Sequence, residues 1–298
     1  MSALELTNAG EKRSRSGLRQ LLRSLSRSRT GLIGAILVSL FVATATFGAW
    51  IAPHSPTQRN LSQKFTPPAW VEGGTTKFLL GTDQQGRDIV SRIVSGSRAS
   101  LIVGVTAVAL SAFIGLILGL IAGYVGGIVD TAIMRVVDAM LAIPTMLFML
   151  VIVLVSGSGL VPLIIVIAVT NWVAYTKLVR GEVLSIRERD YIKAARIAGA
   201  GVPRLLFRHI TPNLLSAFVV VATLNVGSVI LSEASLSFLG LGIQSPDVSW
   251  GQMLSDGRQY IATSWWVATF PGIALSLTVL GIMYLGDWLR DYLDPRLT

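Results

Sequence analysis

Six blocks of about twenty apolar residues, at about 31–51, 101–122, 137–155, 160–179, 214–231 and 267–285, leave this chain few ways to fold. At 1.5 Å of rise per residue, a helix of that length covers the roughly 30 Å of a bilayer's hydrocarbon core. Composition agrees: 52% of the 298 residues are hydrophobic and 14% charged, where an ordinary soluble domain carries about a quarter charged residues. The expectation is an all-α polytopic membrane protein of about six transmembrane helices. Its net charge of +9 does not point to nucleic acid, because the cations lie between the apolar blocks and form no aromatic-laced basic face. The absence of cysteine excludes disulfides and thiolate chemistry. His54 and His209 have no second histidine at helical spacing, so no metal site is expected.

The segments between the blocks divide the chain. Residues 1–30 form a basic tail in which Leu18, Leu21, Leu22 and Leu25 share one helical face, as an amphipathic helix lying in the headgroup plane would require. Block 31–51 reads as a first transmembrane anchor, since the apolar run is longer than a signal-peptide core despite the small residues Ala43-Thr44-Ala45. Residues 52–99 form a polar extracytoplasmic loop, and Ile89, Val90, Ile93 and Val94 predict a short interfacial helix over Asp83–Arg98. Residues 100–298 hold five further spans, with a polar loop at 181–213 between the fourth and fifth of the six. With both termini cytoplasmic, 18 of the 25 lysines and arginines fall inside and 7 outside, as the positive-inside bias demands.

The 181–213 loop carries the most information. Ser185 and Glu188 stand at capping-box spacing and predict a helix ending near Gly199 or Gly201, ahead of Pro203. Ala194 with Ala198, and Ala195 with Gly199, stand one turn apart and would give that helix a shallow face for another protein, while Arg187, Arg189, Lys193 and Arg196 stay solvated. A loop that only fixes topology remains the alternative on these residues alone.

Lys193-Ala194-Ala195-Arg196-Ile197-Ala198-Gly199, followed by His209-Ile210-Thr211-Pro212, resembles the Glu-Ala-Ala loop of the inner-membrane components of ATP-binding cassette (ABC) importers. The likeness is to the second permease of the dipeptide, oligopeptide and nickel family. Lys193 stands where the general pattern has glutamate, and Thr211 where it has leucine. The resemblance extends through Leu80-Gly81-Thr82-Asp83, Gly86-Arg87-Asp88, Ser91-Arg92, Gly123-Tyr124-Val125-Gly126-Gly127, Ala142-Ile143-Pro144, Glu233–Gly242, Ser249-Trp250-Gly251 and Gly286–Leu297, in the family's order.

That resemblance implies the type I ABC importer permease fold. It also implies a second homologous permease, two cytoplasmic ATP-binding subunits using ATP and magnesium, and an extracytoplasmic solute-binding protein. Lys193, Ala194, Ala195, Ala198, Gly199 and Pro212 would couple the chain to an ATPase. The solutes handled by such relatives include peptides, glutathione, opines and nickel chelates. The sequence itself supplies no Gly-x-x-x-x-Gly-Lys loop for nucleotide phosphates, and no paired groups for catalysis at mid-span, so the chain is not expected to be an enzyme and holds no cofactor of its own. Asn171 and Asn225 are the deepest polar residues of the spans, serving either interhelical hydrogen bonds or, with Glu233, the path of the solute. Pro144 and Pro162 are expected to kink their helices, and Gly104, Gly115, Gly119 and Gly123 to give the second span a packing face. An ATP-independent carrier or channel is the competing possibility, and a membrane scaffold without transport a third.

Overall fold

The computed structural model describes residues 20, 21 and 23–293. Helix is present at residues 20, 21 and 23–27, while Leu18 and Leu22 of the expected amphipathic face lie outside the described residues. Helix α1, Arg29–Ile51, starts where the Ser28 hydroxyl accepts the Gly31 N–H at 3.1 Å, and stops before Pro53. It packs on the last and second helices through glycines: a Cβ at Gly34 would stand 2.6 Å from the Leu285 amide nitrogen, and one at Gly48 3.0 Å from Val94.

Helix α2, Ile89–Val125, merges two expected elements. The Asp88 carboxylate accepts the Ser91 N–H and caps it, and no break separates residues 89–100 from the apolar stretch that follows. The short interfacial helix is therefore the first three turns of a 37-residue helix. Helices α3, Gly127–Ala142, and α4, Thr145–Ser156, meet at 91° across Ile143-Pro144. The expected kink at Pro144 is thus a break between two helices, and the third span begins near 127 instead of 137. Pro162 bends nothing, because it lies in the first turn of α5, Leu160–Arg187, where its missing N–H removes no intrahelical bond.

A short helix α6, Asp190–Ile197, follows, and then α7, Val202–Phe238, containing a π-helical turn at Leu205–Ile210 just ahead of Pro212. Helix α8, Trp250–Gly257, and helix α9, Trp266–Leu293, complete the bundle. Among the described residues five helices are long and apolar enough to cross a membrane, or six spans if the bent α3–α4 pair is one. Among the described residues there is no β-strand, only an isolated bridge between Thr82 and Asp88.

The pairing of α2 with α5 is the most extensive in the bundle, and the expected small-residue face makes it. A Cβ at Gly119 would stand 2.6 Å from Val179 Cβ, and one at Gly123 2.8 Å from Val183 Cβ; Gly115 lies under Trp172 and Tyr175. Gly104 faces another way, onto Ile230 and Val226 of α7. Close backbone approach supplies the dispersion contacts that hold helices together where lipid removes the hydrophobic drive.

Candidate functional site

The end of the bundle that bears residues 188–210 is a small protruding handle. Ile192 of α6 is fully buried with Val183, Ile186, Leu205, Ile210 and Leu214, which fastens the helix to its own chain. The expected Ser185–Glu188 capping box is not what starts it: Ser185 lies inside α5, Glu188 is that helix's C-cap, and Arg189 precedes α6 without a side-chain cap. Helix α5 meets no breaker before Arg187, so it runs through the serine. The C-terminus matches expectation. Gly199 N–H donates to Arg196 O and Ala200 N–H to Ala195 O, both at 3.0 Å, with Gly199 at φ +83°; this is a Schellman ending, which needs the left-handed region that glycine enters freely.

The six coupling candidates do not share one face. Ala194, Ala198 and Gly199 are exposed, with Ile197 88% and Phe207 72% accessible around them. Ala195 is half-buried against the cluster under Ile192, three residues earlier on the same inner face, so it supports the handle from below. Lys193 pairs with Glu188 at 3.5 Å. Pro212 is exposed in α7, and the Thr211 N–H ahead of it reaches back to Leu206 O in the wide π-helical turn. Two ties that sequence inspection missed brace the handle. Arg180 holds Asp130 of α3 through two hydrogen bonds of 2.6 and 2.7 Å, and Arg187 donates to Gly123 O at 2.9 Å. Their partners lie 50 and 64 residues away, beyond any local pattern.

At the opposite end, the 52–88 loop and α8 enclose a buried ionic centre. Asp83, 1% exposed, accepts the Gln85 and Arg87 N–H groups at 2.8 and 3.0 Å and the Arg87 side chain at 2.6 Å. It also pairs with Arg92, itself 1% exposed, and Asp256 of α8 lies 3.3 Å from Arg87 and 3.6 Å from Arg92. Trp250 donates to Ile93 O at 2.9 Å, tying α8 to α2, and Trp266 to Thr82 O at 3.1 Å, tying the loop to α9. The motif residues quoted from 80–92 and 249–251 thus belong to a single packed unit.

Glu233 is fully buried in the middle of this end of α7. Its carboxylate accepts the Ser237 hydroxyl at 2.7 Å and lies 3.4 Å from the Ser100 hydroxyl. Asn171 and Asn225 are half-buried, and Asn171 donates to Ile167 O within its own helix at 2.9 Å. Asn171 is on α5, and Asn225 and Glu233 are on α7.

Residues 115–298 match the family described as binding-protein-dependent transport system inner membrane component. The chain belongs to that family. Residues 16–68 of this permease further match the N-terminal transmembrane domain of oligopeptide transport permease C. The permease is 43% identical over 282 residues to the di/tripeptide transport system permease protein DppC of Pseudomonas aeruginosa, covering 95% of this chain and 93% of that one. It is 45% identical over 280 residues to the dipeptide transport system permease protein DppC of Escherichia coli, covering 94% and 93%. Over 68% of this chain its fold is similar to that of a chain in the inward-facing MetNI methionine ABC transporter, with a TM-score of 0.56 at 20% identity and 96% of that chain covered. The permease is therefore a multi-pass membrane subunit of an ABC importer with the type I permease fold, and the carrier, channel and scaffold alternatives fall away.

Proposed function

We propose that this permease carries dipeptides or closely similar short peptides, paired with a second homologous permease. Two cytoplasmic subunits hydrolysing ATP with magnesium drive it, and an extracytoplasmic solute-binding protein supplies it. The substrate class rests on the relatives' dipeptide and di/tripeptide names together with their coverage of nearly the whole chain. The drive rests on the handle: a capped helix anchored by one buried isoleucine and presenting Ala194, Ile197, Ala198 and Gly199 outward is a surface shaped for a partner.

The handle lies in the cytoplasm, with both termini. Lysine and arginine bias supports this, and the ionic centre lessens the count against it, since two of the seven outside cations, Arg87 and Arg92, are neutralised by Asp83 and Asp256. The single observation that carries the coupling role is the exposure of Ala194 and Ile197 on an otherwise anchored helix.

In proteoliposomes holding the assembled importer, Ala194→Arg should lower ATP-driven dipeptide uptake about tenfold or more, the equivalent of one lost interface contact, while the protein still inserts. Wild-type uptake by that variant would refute the docking role. The orientation has a separate check. Because the chain has no cysteine, an Asp190→Cys variant should react with an impermeant maleimide only after the membrane is opened.

A further inference from the structure

Arg98 and Asp247 are the one exposed cation and the one exposed anion lining a cleft of about 340 Å³ at the end of the bundle that holds the ionic centre. Arg98 projects from α2, and Asp247 lies on the segment joining α7 to α8; Ser95, Ala99, Ile102, Leu160 and Val248 complete the wall. Neither charge has an opposite partner within salt-bridge distance among the described residues. That sets them apart from Arg87, Arg92, Asp83 and Asp256, which neutralise one another nearby.

The cleft touches Ala99 and Val248, the chain neighbours of Ser100 and Ser249. Ser100 contacts the buried Glu233 carboxylate, so that group lies directly behind the wall and not in it. The cleft also sits where α2, the start of α5 and the α7–α8 segment converge, which is the face that receives solute in the proposed orientation. Arg98 and Ser95 line a second cleft as well, formed with the end of α1 and residues 52–56, so the arginine stands on the ridge between two openings.

A short peptide with free ends carries one carboxylate and one ammonium, about 7 Å apart when two residues are extended. Clefts of about 300 Å³ and upward suit small ligands, and a guanidinium is the natural fork for a carboxylate. We propose, resting on the peptide-importing function above, that this cleft is an entry subsite for zwitterionic di- and tripeptides, with Arg98 receiving the C-terminal carboxylate and Asp247 the N-terminal ammonium. Selection by end charges admits many side chains, which a general peptide importer needs.

The test uses the complete importer in proteoliposomes with saturating dialanine-loaded binding protein. Arg98→Gln and Asp247→Asn should each cut dialanine delivered per ATP hydrolysed about tenfold, the loss expected for one charge-assisted hydrogen bond. The concentration of binding protein that half-saturates ATPase stimulation should stay at the wild-type value, and Arg98→Lys should restore most of the delivery. If the half-saturation concentration rises while delivery per ATP holds, the two residues dock the binding protein and the subsite is refuted. Delivery unchanged in both variants refutes it equally. A wild-type importer that moves no dialanine at all would bring down the peptide function itself, and the subsite with it.

Discussion

The two ends of this bundle are built on opposite plans. The end carrying the 52–88 loop closes upon itself: Asp83, Arg87, Arg92 and Asp256 pair inside it, Trp266 donates to a loop carbonyl and Trp250 to one of α2, and Asp83 satisfies both main-chain and side-chain donors. The handle at 188–210 is left open, with a single fully buried residue in α6 and apolar side chains in water. A self-contained cap is stable whether or not anything binds it. An open handle is a surface whose completion must come from another molecule, and it can be pulled without dismantling a core.

That contrast breaks most readily at Asp83. Asp83→Ala strands the buried Arg92 guanidinium with only the more distant Asp256, and removing one partner of a buried pair costs about 3–5 kcal/mol. Thermal unfolding of the detergent-purified protein should shift down steeply. A midpoint within a degree of wild type would mean that the ionic centre is not what holds the cap.

At Gly199 the expected effect is smaller. Nothing lies within 4 Å of a Cβ there, so Gly199→Ala meets only the left-handed backbone, a penalty of about 1–2 kcal/mol borne by the handle alone. Hydrogen exchange should quicken across 190–200 and leave 80–92 untouched; equal quickening at both ends would show that they unfold as one body.

The smallest change in stability belongs to Ile197→Asp. At an exposed site it should alter the chain's own stability by no more than about 0.5 kcal/mol, yet weaken association with the ATPase subunits on co-purification. Loss of the folded protein would mean that the handle is not an open surface.

Much of this was legible in the residues. The apolar blocks announced the spans, and Gly115, Gly119 and Gly123 announced a seam because small residues four apart have few other uses in a membrane helix. Three things were hidden. Residues 83–98 read as a separate interfacial helix, but Arg92 is buried against a carboxylate nine residues away and the helix begun at Ile89 continues into the span. The Ser185–Glu188 spacing satisfied a local rule that the stronger tendency of an uninterrupted helix overrode. For Ala195 and Glu233, one-dimensional spacing gave the neighbours but not the side facing the chain's own interior.

The glycine seam between α2 and α5 has a mechanical consequence. At 1.5 Å per residue, α5 is about 42 Å long, and valine side chains seated over missing Cβ atoms act like teeth in a rack. Neither helix can slip lengthwise by one residue without driving a branched side chain into backbone, so α2 and α5 keep their register when either is displaced.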